Sequence, residues 1–380
     1  MKYYIISGEA SGDLHGSNLI KELKKLDNNA AIRCWGGDLM QEAGATLVKH
    51  YRELAFMGFT EVIKNIGTIF KNLSFCKKDI LAHRPDVLIL IDYPGFNLRI
   101  AKWARQQGLK IVFYISPQIW AWKENRIHSI KKNVDKMLVI LPFEKDFYSK
   151  WNFDVEYVGH PLVEVVEDFK KAQGGKSAPL FLEANNKDAG ETKIIALLPG
   201  SRQQEILKKL PVMLQVAGHF PDYKFVVAKA PGLADEFYTA LLAPYNNVTA
   251  VVNQTYELLN QSAAAIVTSG TATLETALFG VREVICYKSN NLSYQIAKRV
   301  ITIKYICLVN LIMNKEVVKE LIQDDLTVAN LVTELKLLLF DKTRRITLQK
   351  EYTALKDLLS AGGHASSKAA QSIYTMLRQG

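Results

Sequence analysis

Three stretches of the chain carry residue types that could do chemistry. The first, "LLPGSR" at 197–202, ends an apolar run with Pro199 and Gly200 and then offers Ser201 and Arg202 where the helical "QQEILKKLP" should begin. Backbone amides free at a helix start, the helix dipole and a guanidinium together suit a diphosphate. An N-cap serine beside a solvated arginine fits that stretch equally well by itself. The second, "TSGTATLETALFG" at 268–280, repeats strand, small turn and helix. Ser269, Gly270 and Thr271 are too small to crowd a ligand, and Glu275, one turn further in, could accept both hydroxyls of a ribose or simply face solvent. Two such turns are hard to explain by packing alone, which favours a nucleotide diphosphate site. The third, "VLILID" at 87–92, ends a buried-looking strand on Asp92. A carboxylate there is a candidate general base, although capping of the next turn through Asn97 or a backbone amide is common for aspartate and is the better reading of Asp92 alone.

Other segments supply polar or aromatic groups. The opening "SGEASGDLHG" spaces Gly8, Gly12 and Gly16 four apart, a spacing that matches neither the dinucleotide fingerprint nor the P-loop. Glu9 and Asp13 would repel a phosphate but could accept from sugar hydroxyls, so this turn is expected to be a polar-substrate loop, with tight helix packing as the alternative. "SPQIWAWKENRIHSIKK" at 116–132 gathers Trp120, Trp122, Lys123, Arg126 and His128. Rings beside cations can stack on sugars or bind phosphate, and tryptophans also fill cores. In "FMGFTEVIKNIGTIFKNL" at 56–73, Phe56, Phe59, Ile63, Ile66, Phe70 and Leu73 form one helical apolar face, with Met57 beside Phe56. Such a face usually packs on its own core; bulky apolar groups opposite Lys64 and Lys71 also describe a helix on an anionic membrane surface.

The elements that must position these groups alternate. "YYIIS", "VLILID", "IVFYIS" and "MLVIL" are separated by helical stretches, and a second series, "KIIALLP", "KFVVAK", "AAIVTS" and "EVICYK", follows a polar, irregular tract at 167–193. Alternation of this kind implies βαβ units and parallel sheets. The fold expected is α/β, with two doubly wound Rossmann-like domains facing a cleft, and helices from about 315 onward broken only by "SAGGHASS" at 360–367. A chain of 380 residues suits two cores. The 48 Lys plus Arg against 38 Asp plus Glu give a net charge of +10 and favour an anionic partner, while dispersed basic residues argue against nucleic acid. Cys34, Cys76, Cys286 and Cys307 form no metal-ligand spacing, so buried thiols and no metal are expected. No apolar run approaches a membrane span or a secretory signal, which predicts a cytosolic protein.

Taken in order, "SGEASGDLHG", "LAFMGFTEV", "RPDVLILIDYPGFN", "YISPQIWAWKENRIHSIKK", "LPFEKDFY", "VGHPLVE", "LLPGSRQQEI", "TSGTATLE" and "NLIMNKEVVKELIQ" closely resemble the lipid-A-disaccharide synthases over nearly the whole chain. The resemblance implies a GT-B glycosyltransferase without cofactor, peripheral at the inner membrane of a Gram-negative bacterium. Its domains would be 1–166 for acceptor and lipid, 190–345 for the UDP-sugar, and helices 346–380 returning to the first. It implies inverting transfer of 2,3-diacylglucosamine from its UDP donor to 2,3-diacylglucosamine 1-phosphate, giving the β-1,6-linked disaccharide. Asp92 matches the family's essential carboxylate, with Glu9 and Asp13 as second candidates. Gly200, Ser201, Arg202, Ser269, Gly270, Thr271 and Glu275 would hold UDP, with Asn310 and Glu316 near the donor. Phe56, Met57, Phe59, Ile63, Ile66, Phe70, Trp120, Trp122, Lys123 and Arg126 would meet acceptor, acyl chains or an anionic inner-membrane surface, and a homodimer is compatible with all of this. Arg282 stands where a proline is usual and Asn314 where a glycine is common, both expected beside the donor site. The rival readings are another GT-B enzyme on UDP-N-acetylglucosamine, an epimerase or a peptidoglycan glycosyltransferase, and a nonenzymatic UDP-sugar or lipid-binding protein.

Overall fold

The computed structural model describes residues 1–54, 66–173, 193–230, 232–290, 294 and 303–379. The chain divides into two compact units, Met1–Pro161 with Leu359–Gly380, and Leu162–Leu358.

The first unit is built on seven parallel strands: β1 (Lys2–Ile6), β2 (Ala31–Gly36), β3 (Thr46–His50), β4 (Val87–Ile91), β5 (Lys110–Tyr114), β6 (Lys136–Val139) and β7 (Glu156–Tyr157). Their order is β3-β2-β1-β4-β5-β6-β7. The strand direction of travel therefore reverses between β1 and β4, where Ile6 pairs with Leu90, so residues 7–8 and Asp92 emerge side by side at the carboxyl ends. Period-two alternation feeds two cores. Tyr4, Ile6, Leu88 and Leu90 face one layer, while Tyr3, Ile5, Val87 and Ile89 face the other, which α1 (Ala10–Leu26) covers with Leu19, Ile20 and Leu23. The C-terminal helix Ala365–Arg378 lies on α1 and adds Ala365, Ala369, Ala370 and Ile373 to that second core.

The second unit has six parallel strands, β8 (Ile194–Leu198), β9 (Lys224–Lys229), β10 (Val248–Val252), β11 (Ala264–Thr268), β12 (Arg282–Tyr287) and β13 (Lys319–Ile322), in the order β10-β9-β8-β11-β12-β13. Its reversal falls between β8 and β11, where Leu198 pairs with Val267. The two phosphate-type turns thus leave adjacent strands, as their repeated pattern required. Among the described residues no helix is long and apolar enough to cross a membrane. All four cysteines are buried and free, and burial pushes the Cys34 thiol up to about 12.

Part of the 56–73 face can be described. Phe56, Met57, Phe59 and Ile63 lie outside the described residues, as does the side chain of Ile66. From Ile66–His83 onward the face divides: Leu73 enters the core, whereas Phe70 is 63% exposed. The tract at 167–193 begins as the end of helix Pro161–Ala172, and residues 174–192 are outside the description.

Candidate active site

In the first unit, the opening stretch differs from a glycine-rich loop. Helix α1 already starts at Ala10, so Gly12 and Gly16 lie inside it on its buried face. A Cβ at Gly12 would stand 2.8 Å from Ser7 Oγ, and one at Gly16 2.7 Å from Met40 Sδ. Two of the three glycines therefore serve close packing, the alternative that helical i,i+4 spacing left open. Asp13 is likewise engaged in structure: its buried carboxylate accepts the amides of Gly37 (2.7 Å), Leu39 (3.2 Å) and Met40 (3.0 Å), anchoring the start of helix Asp38–Glu42. Glu9, exposed at the N-cap of α1, keeps its carboxylate toward solvent.

Asp92 lies across the reversal point from Glu9. Its backbone and that of Tyr93 are left-handed, with φ of +42° and +48°, and Ile115 at the end of the next strand has φ of +65°. Left-handed backbone costs a non-glycine residue about 1 kcal/mol, and such strain gathers where geometry is dictated by function. Asn97, fully buried, donates from Nδ2 to the carbonyls of Asp92 (2.8 Å), Ile91 (3.2 Å) and Ile6 (3.4 Å). The turn is therefore held through main-chain carbonyls by Asn97, and the Asp92 carboxylate accepts the Tyr93 amide. Burial, then the nearby Glu9 charge, push that carboxyl up to about 6. A base that half-ionises near neutrality is suited to taking a proton.

Gly8 is the glycine of the opening stretch that serves this turn. A Cβ there would overlap Tyr93 Cγ and lie 2.5 Å and 2.6 Å from its Cδ atoms. Gly8→Ala should displace Tyr93, and Asp92 with it, lowering kcat about tenfold or more while leaving the far-UV circular dichroism unchanged, because sub-ångström misplacement of a reacting group is costly. Unchanged kcat would show that Tyr93 relaxes without moving its neighbour.

The aromatic segment follows β5. Trp120 donates to Glu144 Oε1 at 3.2 Å, and Glu144 also accepts the amides of Ile140 and Leu141. Glu144 is wholly buried, which pushes its carboxyl up to about 7. Trp122 is half exposed and carries the Lys123 ammonium 4.1 Å, and the Arg126 guanidinium 5.8 Å, from its ring centre. Arg99, which sequence reasoning missed, is near enough to hold the Arg126 pKa down after burial has lowered it. Its position one turn after Pro94–Gly95 was the available signal.

In the second unit, Gly200 turns the chain after β8 with φ of +110°, a conformation that favours glycine, and helix Gln203–Gln215 starts with Arg202 as N-cap. Helix Thr271–Phe279 starts after Gly270. Between the two turns lies a cavity of about 280 Å³ lined by Gly200, Ser201, Ser269, Gly270, Thr271 and Glu275 among others. Arg202 points outward and pairs with Glu205 at 3.2 Å. Glu275 is oriented rather than loosely solvated: Tyr256 donates its hydroxyl to Oε1 at 2.8 Å, and burial, partly offset by that bond, raises the carboxyl.

Asn310 and Glu316 have different settings. Asn310 is fully buried and spends its amide on the Val317 and Val318 backbone and on Glu320 Oε1, riveting the segment after helix Leu308–Met313 to β13. Glu316 is at the surface, paired with Lys319 at 3.0 Å. Arg282 opens β12 at the amino end of the sheet and bonds the Leu338 carbonyl at 2.7 Å, so the substituted proline position is not beside the donor turns. Asn314 takes φ of +50° as the helix C-cap, a conformation asparagine tolerates when glycine is absent.

Two Rossmann-like parallel sheets with ligand-type turns at both reversal points define a two-domain α/β protein of the GT-B class. Solved structures agree in fold: UDP-GlcNAc 2-epimerase from Neisseria meningitidis, bound to UDP-GlcNAc, covers 100% of both chains with a TM-score of 0.67 at 13% identity. The glycosyltransferase of kitacinnamycin covers 99% of both with a TM-score of 0.66 at 15% identity. At such identities the likeness speaks to fold alone. The chain belongs to the Lipid-A-disaccharide synthetase family, which it matches over residues 3–374. It is 38% identical to the lipid-A-disaccharide synthase of Geobacter sulfurreducens over 378 residues, 98% of this chain and 96% of the relative. It is 37% identical to lipid-A-disaccharide synthase 1 of Legionella pneumophila strain Paris over 382 residues, 98% and 96% of the two chains. Membership makes it a glycosyltransferase of lipid A biosynthesis and disfavours the epimerase, peptidoglycan and nonenzymatic readings.

Proposed function

We propose that the chain transfers 2,3-diacylglucosamine from UDP to the 6-hydroxyl of 2,3-diacylglucosamine 1-phosphate, with the acceptor on the first unit and the UDP-sugar on the second. The observation that carries this reading is Asp92: a mostly buried carboxylate on a strained backbone, with a pKa of about 6. Asp92 takes the hydroxyl proton as the oxygen attacks the anomeric carbon from the face opposite UDP. The bond from that carbon to the diphosphate oxygen breaks, its electron pair leaves with UDP, and the configuration inverts. Glu9, the second acidic group at this turn, tunes Asp92 by its charge. The amides around Ser201, Gly270 and Thr271 and the helix ends behind them accommodate the charge on UDP, and Glu275 accepts from the ribose hydroxyls. Trp122, Lys123 and Arg126 suit a sugar phosphate or an anionic headgroup, and exposed Phe70 suits acyl chains or a membrane surface.

The test is UDP release from UDP-2,3-diacylglucosamine with and without the acceptor. Acceptor-dependent release supports the transferase; release that ignores the acceptor, or no release, removes it. Glu275→Gln should weaken binding of UDP and of uridine alike, by about tenfold, as expected when a charge-assisted hydrogen bond is lost. Titration calorimetry with the two ligands checks this, and an effect on UDP alone would move Glu275 away from the ribose.

A further inference from the structure

A second cavity, of about 220 Å³, adjoins the first and shares Glu205, Thr268 and Ser269 with it. The two differ in charge. Glu205 and Glu275 line the first against Lys229, which is itself held by Asp235 at 2.6 Å, so that cavity carries less positive charge than its neighbour. Lys208, Lys209 and Lys288 line the second against Glu205.

Lys209 is the unusual member. It is only 3% exposed, and its ion-pair partner among the described residues is Glu205 Oε2 at 3.9 Å, beyond hydrogen-bonding distance. Glu205 is shared with Arg202 and so offers Lys209 only part of a counter-charge. Burial depresses the Lys209 pKa against the pull of Glu205. A charge buried with so loose a partner is a net cost to the fold. Beside it Thr268, 7% exposed, buries a hydroxyl oxygen without a hydrogen-bond partner among the described residues while lining both cavities. Buried polar groups normally find partners, and an unpartnered hydroxyl beside a loosely paired ammonium points to a ligand that completes them.

We propose that the donor straddles both cavities, its ribose against Glu275 in the first and its diphosphate reaching from the Ser201, Gly270 and Thr271 amides into the second, with Lys209 as the buried counter-cation and Thr268 donating to a phosphate oxygen. This rests on the reading of the donor as a UDP-sugar and assigns Lys209 and Thr268 to it. In sequence Lys209 is one of two lysines in a helix and carries no sign of its burial. As the sugar–oxygen bond breaks, the charge that develops on the diphosphate meets a cation already in place.

Calorimetric titration of UDP and of uridine into the natural protein, Lys209→Met and Thr268→Val tests this. Lys209→Met should lose on the order of ten- to a hundredfold in UDP affinity, the range for charge-assisted hydrogen bonds, with uridine affinity unchanged. Its unliganded thermal midpoint should hold or rise, since an apolar side chain replaces a buried charge. Thr268→Val should lose less, again for UDP only, and carries the test if Lys209→Met does not fold. A UDP-to-uridine ratio unchanged in both variants, or equal losses for both ligands, overturns the proposal. So does a natural protein that binds UDP no better than uridine. Lys209-dependent UDP binding without acceptor-dependent UDP release would leave this cation site standing and sink the transferase reading alone.

Discussion

Asp92→Asn should reduce kcat by about a hundred- to ten-thousandfold, the range for removal of a general base, with the donor KM little changed. Asparagine keeps the shape of the turn, because Asn97 holds that turn through the carbonyls of residues 6, 91 and 92 and not through the carboxylate. The natural protein's kcat/KM should rise with pH through about 6 and then level, since the base works only when ionised and burial with Glu9 has raised its pKa to that value. Glu9→Gln removes one of the two causes, so the acid limb should move to lower pH while the plateau persists. Stability has the opposite sign. Between the ordinary carboxylate range and about pH 6 the folded protein binds more protons at Asp92 than the unfolded chain, so stability falls as pH rises through that window. Asp92→Asn should therefore be at least as stable as the natural protein at pH 7, a signature of a group kept for chemistry. A variant that retains more than a tenth of the activity, or that melts earlier at pH 7, would make Asp92 a structural residue.

The second large effect is expected at Gly362. A Cβ there would overlap the Gly159 backbone nitrogen and lie 2.5 Å from its Cα and 2.6 Å from the Val158 carbonyl carbon. These are main-chain atoms, so no side chain can swing aside. The contact seats the returning C-terminal segment beside β7: the His160 amide and the Tyr157 hydroxyl both donate to the Leu359 carbonyl, at 3.1 and 3.0 Å, and Lys368 Nζ donates to the Tyr157 carbonyl at 3.0 Å. Ala365, Ala369, Ala370 and Ile373 then complete the core beneath α1. Gly362→Ala should destabilise the first unit by about 3 kcal/mol, the upper range for overpacking against backbone. Gly218→Ala, where a Cβ would meet nothing within 4 Å, should change stability by under about 0.5 kcal/mol. Urea unfolding of the two variants followed by hydrogen exchange in β7 and the last helix separates them. Equal behaviour would mean that the C-terminal segment can shift at little cost.

These two sites differ in how far the chain announced them. Asp92 ends an uninterrupted apolar strand, and strand ends in parallel sheets are where ligands bind, so its position was legible from the local pattern. "PGSR" and "SGT" were legible for the same reason: a turn, a small residue and a helix start are all encoded within about a dozen residues. At Gly362 the break in "SAGGHASS" was visible, but the backbone it must clear lies some two hundred residues earlier. Spacing also misled. Gly8, Gly12 and Gly16 share an interval, yet of the three Gly8 faces the Asp92–Tyr93 turn, because the helix begins sooner than the glycines suggested.

The sequence by itself determined the alternation of strand and helix up to about residue 315, the two parallel sheets apart from β13, which lies in a stretch read as helical, the turns after β4, β8 and β11, and the family, because each is carried by contiguous residues or their order. Only the tertiary structure decided which acids are spent on holding the fold. Asp13, as acidic as Asp92 on paper, is spent on three backbone amides reached across more than twenty residues of chain, while Asn97 holds the Asp92 turn by its carbonyl. It also decided that Lys209 is buried while neighbouring Lys208 reaches the Asn290 side chain. Burial and the charge of distant neighbours set a group's ionisation and its need for a partner, and those are properties of how the sheets, helices and turns come together rather than of residue type.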